Sequence, residues 1–181
     1  ARWASTSSRS SRTIEVNFPD ELRSQFEPFE PLGRGGMGEV WHAQQRALSR
    51  DVALKLLLPP TGPEAEWRQR FLDEGRMAAL VRHPNVVQVI GSGELGDRGL
   101  WIAYELVRGE TFAALLKHAQ PSITESLKLL AAVLAGLQAI HDAGVLHRDL
   151  KPANIMLGRD GVPRILDFGL ARPVVREKPL T

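Results

Sequence analysis

His147-Arg148-Asp149-Leu150-Lys151-Pro152-Ala153-Asn154 is the stretch on which the fold turns. Asp149, Lys151 and Asn154 bring a carboxylate, an ammonium and an amide into six residues, just after an apolar helical pattern. Polar groups packed so densely behind a buried helix describe a loop that holds a site. Another carboxylate, Asp167, follows 18 residues after Asp149, between Leu166 and Phe168. Carboxylate and amide oxygens are what Mg²⁺ takes beside nucleotide phosphates. Residues that only cap helices and turns would explain any one of these, but poorly explain their joint order.

Upstream, Ser122–Ala143 reads as a long helix. Ser122 and Glu125 have capping-box spacing, Leu127, Leu130, Leu134, Leu137 and His141 form a stripe, and Gly144 suits the C-terminal cap. Thr111–His118 is a shorter helix. Downstream, Ile155–Leu157 and Arg164–Leu166 are short strand-like pieces around the turn Gly158–Gly161.

The first half has a different character. Phe29–Arg34, Glu39–Gln44 and Asp51–Leu57 predict an antiparallel meander, and Val86–Ser92 and Leu100–Val107 two further strands. One helix, Glu64–Val81, lies between, with Trp67, Phe71, Ala78 and Val81 on its apolar stripe and Glu74 in the same phase. A carboxylate on an apolar stripe is costly unless it meets a cation. Lys55, in Val52-Ala53-Leu54-Lys55, is the candidate partner; a solvated edge glutamate is the plainer alternative.

Gly33-Arg34-Gly35-Gly36-Met37-Gly38 has the glycine density that lets backbone N–H groups approach phosphate oxygens. Alone it equally describes a hairpin turn. No Gly-Lys-Ser/Thr follows, which excludes a Walker A loop, and Glu39–Ala43 continues as strand, which disfavours a dinucleotide-binding turn.

Composition bounds the rest. The 181 residues are 43% hydrophobic and 24% charged, which fits a globular protein. Twenty-three basic residues face 21 acidic ones, but Arg2, Arg9 and Arg12 sit in an acid-free N-terminal stretch. The remaining body is near neutral and gives no reason to expect nucleic acid as a partner. Uncharged apolar runs are too short to span a bilayer, and no signal-peptide pattern is present. Zero cysteines exclude a disulfide scaffold, thiol catalysis and Cys-ligated metal, and agree with a cytoplasmic location.

Six motifs in order then identify the chain as resembling the N-terminal two-thirds of a Hanks-type serine/threonine protein kinase of the bacterial branch. They are G-x-G-x-x-G-x-V at Gly33–Val40, V-A-L-K at Val52–Lys55, the helix glutamate Glu74, H-P-N at His83–Asn85, H-R-D-L-K-P-x-N at His147–Asn154 and D-F-G at Asp167–Gly169. The resemblance implies an α+β, two-lobe protein-kinase-like fold. Residues 1–28 are expected as a flexible Ser/Arg-rich arm and 29–107 as an N-lobe with a five-stranded antiparallel sheet and one helix. Residues 108–181 are expected as an incomplete, mainly helical C-lobe that ends in the activation segment.

It also implies ATP and Mg²⁺ as cofactors and Ser/Thr hydroxyls of proteins as substrates. Leu32, Gly33, Gly35, Gly36, Gly38, Val40 and Ala53 would surround the nucleotide; Lys55 would hold the α/β-phosphates and pair with Glu74. Tyr104 falls at the gatekeeper position, Glu105 and Val107 at the hinge, and Met156 beneath the adenine. Asp149 would take the hydroxyl proton, Lys151 would contact the γ-phosphate, and Asn154 and Asp167 would hold the metal. Thr181 falls where such kinases carry activation phosphosites, and a homodimer would serve autophosphorylation. The resemblance also allows a membrane tether of the full-length protein outside this sequence. A nucleotide-binding scaffold without turnover and a small-molecule kinase of related fold are the alternatives. The complete Arg148–Pro152 string favours a protein substrate, and the intact metal and base positions favour turnover.

Overall fold

The computed structural model describes residues 18–35, 38–57, 64–96 and 99–167. Strands β1 (Phe26–Gly35), β2 (Gly38–Gln45), β3 (Arg50–Leu57), β4 (Val89–Glu94) and β5 (Leu100–Glu105) form one antiparallel sheet in the order β1-β2-β3-β5-β4. Alternation along these strands creates two faces. Trp41 and Ala43 of β2, Val52, Leu54 and Leu56 of β3, and Trp101 and Ala103 of β5 enter one core. Leu57, Leu100, Ile102 and Tyr104 enter the other.

The first of these cores is closed by residues expected as part of the arm. Phe18, Leu22 and Phe26 are buried against it, with Phe18 edge-on to Trp41 at 5.7 Å and Phe26 edge-on to Trp101 at 5.1 Å. A turn of 3₁₀ helix, Asp20–Leu22, carries Leu22 inward. Residues 18–28 are therefore folded, which corrects the predicted boundary. The reason is apolar: a buried ring contributes roughly 2–3 kcal/mol, enough to fix a short polar segment around it. Pro28 did not prevent a strand because it lies at a register shift on the edge strand β1. The rest of the predicted arm, residues 1–17, lies outside the described residues.

Helix α1 (Glu64–Leu80) packs Phe71 and Ala78, followed by Val81, against the inner face of the sheet. That core is continuous with the second half through Val133 and Ile140 of α3 (Ile123–Asp142) and through Ile155 and Ile165. A second sheet, β6-β7-β8, combines Gly109–Thr111, Ile155–Gly158 and Pro163–Ile165. The three-residue strand β6, which the sequence did not reveal, directly precedes α2 (Phe112–His118), whose N-cap Thr111 accepts the Ala114 N–H.

Helix α3 starts with the predicted capping box, Ser122 and Glu125 exchanging hydrogen bonds, and Gly144 beyond its end has φ +74°. Of the leucine stripe, only Leu137 packs against the core. Val133, Gly136 and Ile140 face the core, while Ile123, Leu127, Leu130 and Leu134 are exposed. Gly136 is required there, since a Cβ would sit 2.7 Å from the Asn85 carbonyl oxygen. By length and composition α3 could cross a bilayer, although Glu125 and Lys128 interrupt its apolar pattern and leave no long uncharged run. Its seat against Asn85 and β8 ties it to the core.

Candidate active site

Between the inner face of the five-stranded sheet and β7 lies a cavity of about 210 Å³. Leu32 and Gly33 of β1, Val40 of β2, and Ala53 and Lys55 of β3 line one side. Tyr104, Glu105 and Val107 border it along the chain that leaves β5, and Met156 and Asp167 line the other side. Val87, Leu106 and Leu166 complete the walls; Leu106 lies within the expected hinge, Glu105–Val107, whereas Val87 and Leu166 were not among the expected site residues. An apolar wall residue carries no chemical signature, although Leu166 is flagged by its place beside Asp167.

The hairpin over this cavity depends on Gly38. Its φ is +139°, and a Cβ there would collide with the Leu56 carbonyl oxygen. Gly35 pairs with Gly38 across the turn, whereas Gly36 lies outside the described residues. Thus Gly38 serves strand proximity, whereas a Cβ at Gly33 would meet nothing within 4 Å and leaves that position to the phosphate approach expected of it.

Lys55 Nζ lies 2.8 Å from Asp167 Oδ1, and its side chain is only 13% exposed. The predicted partner, Glu74, sits on α1, but its side chain lies outside the described set. Among the described residues, this ion pair joins β3 to the carboxylate after β8. Tyr104 is buried with its hydroxyl unpartnered among the described residues. Burial, with the Asp167 charge nearby, pushes that phenol well above its ordinary pKa, so it stays protonated.

The loop His147–Asn154 is internally bonded. Lys151 Nζ is 2.7 Å from Asp149 Oδ2, and Asn154 Nδ2 donates to the Asp149 backbone oxygen at 2.8 Å and to Oδ2 at 3.3 Å. His147 sets its place. Its Nε2 bonds the Leu166 carbonyl at 2.9 Å and must carry the proton, while Nδ1 accepts the Asp149 N–H at 3.3 Å. Burial holds the imidazole pKa below its usual value, favouring this neutral tautomer. Leu166 N–H in turn donates to the Asn154 carbonyl at 2.8 Å. These bonds bring Asp149, Lys151 and Asn154 to the strand end that carries Asp167.

Asn85 fixes that strand from behind. Its side chain donates to the Pro163 carbonyl, its own carbonyl accepts the Ile165 N–H, and Val87 N–H donates to the Ile165 carbonyl, all at 2.9 Å. Arg148 and Asp167 have φ of 61° and 53°. Left-handed backbone at non-glycine residues costs of order 1–3 kcal/mol each and concentrates at functional sites.

The donor set fits Mg²⁺. Asp167 offers carboxylate oxygens, and Asn154, whose amide nitrogen is engaged by Asp149, leaves its amide oxygen available. Two hard oxygen ligands suit an ion that retains water and phosphate oxygens in its shell. No cluster of three or more His, Cys, Asp or Glu side chains forms a preassembled metal cage among the described residues. Phe168, Gly169 and Thr181 lie outside those residues.

A family model described as the protein kinase domain matches residues 26–181. The serine/threonine-protein kinase pkn2 of Myxococcus xanthus is 40% identical over 161 residues, covering 86% of this chain and 19% of its own. The serine/threonine-protein kinase PknA of Mycobacterium tuberculosis is 36% identical over 148 residues, covering 79% and 34% respectively. The chain thus spans about a fifth to a third of these relatives. In three dimensions it is similar to the crystallised PknI kinase domain of M. tuberculosis, with TM-score 0.71 and 33% identity, covering 82% of this chain and 61% of that one.

Proposed function

We propose, since the chain belongs to the protein kinase domain family, that this protein transfers the γ-phosphoryl group of ATP to Ser or Thr hydroxyls of other proteins. The observation that carries this reading is the joining of the Asp149 loop to the Asp167 strand through His147, Asn154 and Leu166 at one end of the cavity. Such a site needs little covalent chemistry. It needs in-line positioning and compensation of oxygen charge.

ATP would lie beneath the glycine hairpin, its adenine against Glu105–Val107 and Met156. Lys55 compensates phosphate charge. Asp149 orients the acceptor hydroxyl and takes its proton as the oxygen–phosphorus bond forms and the β–γ bridge breaks. Lys151, already beside Asp149, meets the transferred group. Asn154 and Asp167 would hold Mg²⁺, which supplies charge neutralisation to the phosphates when bound. A catalytic domain working in the cytoplasm, where ATP resides, follows from the same reading.

The test uses full-length protein with ATP, Mg²⁺ and a protein acceptor, measuring nucleotide binding separately from phosphate transfer. Asp149→Ala should lower kcat by about 10²–10⁴-fold, the range for loss of a positioned general base, while nucleotide still binds. Undiminished turnover would sink the assignment. Nucleotide binding by wild type without phosphotransfer to any protein acceptor would favour a binding scaffold instead.

A further inference from the structure

We infer that the side chains of Glu105 and Arg164 form a tie behind the nucleotide cavity that positions the backbone meeting the adenine. Both are positioning residues for nucleotide binding, and the inference rests on the proposed function.

Alternation along β5 turns the Glu105 side chain to the sheet face opposite Tyr104. There Glu105 Oε1 accepts the Gln88 N–H at 3.1 Å, and Glu105 N–H donates to the Gln88 carbonyl at 3.0 Å. These two bonds close a ring between the end of β5 and the residue before β4. Arg164 approaches the same Oε1 through Nε at 3.9 Å, an ion pair too long for a hydrogen bond.

Arg164 is itself fixed in direction. Its two terminal nitrogens fork onto Asp160, at 2.7 Å to Oδ2 and 3.1 Å to Oδ1. The fork and its charge hold the Asp160 pKa at about 2. Arg164 also belongs to β8, the strand that leads to Leu166 and Asp167. The tie therefore joins the metal-binding end of the site to the segment that lines the adenine end.

Glu105 borders two spaces at once. One is the nucleotide cavity; the other is a cleft of about 340 Å³ that also includes Arg82, Gln88 and Arg164. An ion pair open to such a cleft adds little to overall stability. Its effect is local: a backbone held from behind pays less ordering cost when the adenine arrives. Removing the tie should weaken nucleotide binding more than it slows the chemical step.

The experiment titrates ADP with Mg²⁺ into full-length protein by calorimetry and measures KM and kcat for ATP. Wild type is compared with Glu105→Gln, Arg164→Gln, their double variant and Arg164→Lys. Glu105→Gln keeps an oxygen for the Gln88 N–H and is the mildest change for folding; thermal melting checks each protein. Each Gln variant should raise Kd and KM by about three- to tenfold with a smaller change in kcat. The double variant should lose no more than the worse single, and Arg164→Lys should recover most of the loss. Additive losses, unchanged or tighter nucleotide binding in Glu105→Gln, or no recovery with lysine would overturn the tie. If wild type binds no nucleotide, the phosphotransferase reading fails and the tie fails with it; if wild type binds and the variants are indifferent, only the tie fails.

Discussion

His147 shows how one side chain sets both geometry and pH response. It donates to Leu166 from Nε2 and accepts from Asp149 at Nδ1, so a second proton would remove the acceptor. Its folded pKa is lowered by burial. Below the unfolded value of about 6.5, the unfolded chain binds a proton that the folded chain resists. The stability tied to neutral His147 is therefore fully present above that value and is lost as pH falls through it towards the folded pKa. Thermal melting followed between pH 7.5 and 5 should show this loss, and His147→Asn should flatten it; an identical slope in both proteins would refute the link. Asp149, Lys151, Asn154 and Asp167 were legible because charge packed into a short loop is improbable without a task. Val87 was not, because a valine becomes a cavity wall only through the strands that cross near it.

Elements were legible where their ends carry chemistry. The Ser122–Glu125 box fixed the start of α3, and Ser122→Ala should cost about 0.5–2 kcal/mol in denaturant unfolding. The hydrogen bond from Ser122 lowers the Glu125 pKa, so the cap weakens as acid protonates that carboxylate. Strand β6 was missed because three residues carry no period; its existence depends on pairing with β7. The segment around Leu22 was missed for another reason. Its apolar residues are too few and too scattered to show a period, and only the sheet face with Trp41 and Trp101 gives them a partner. Leu22→Ala should cost about 2–5 kcal/mol, measurable by urea unfolding. A cost below 0.5 kcal/mol would mean that this segment is not integral to the fold.

At the scale of the molecule, one inner core runs from α1 and the five-stranded sheet into α3, β7 and β8. The two halves that differ so clearly in sequence character are therefore mechanically joined, something composition could not reveal. Opposite that core, α3 presents Leu127 and Leu134 at 61% and 52% exposure. Replacing both with Gln should reduce self-association of the 181-residue chain in sedimentation, at a stability cost within about 0.5 kcal/mol. A larger loss of stability would show that the leucines are covered in solution.

The packing of Trp41 and Trp101 beside Phe18 and Phe26 has an optical consequence. The four tryptophans occupy positions 3, 41, 67 and 101, so none follows β5's second residue. Trp41 and Trp101 report the sheet and Trp67 lies on α1, while far-ultraviolet circular dichroism also weighs α2 and α3. Superimposable melts from these two signals are expected if the shared inner core couples the halves. An emission change that precedes or trails the dichroism change would locate the boundary at which that coupling gives way.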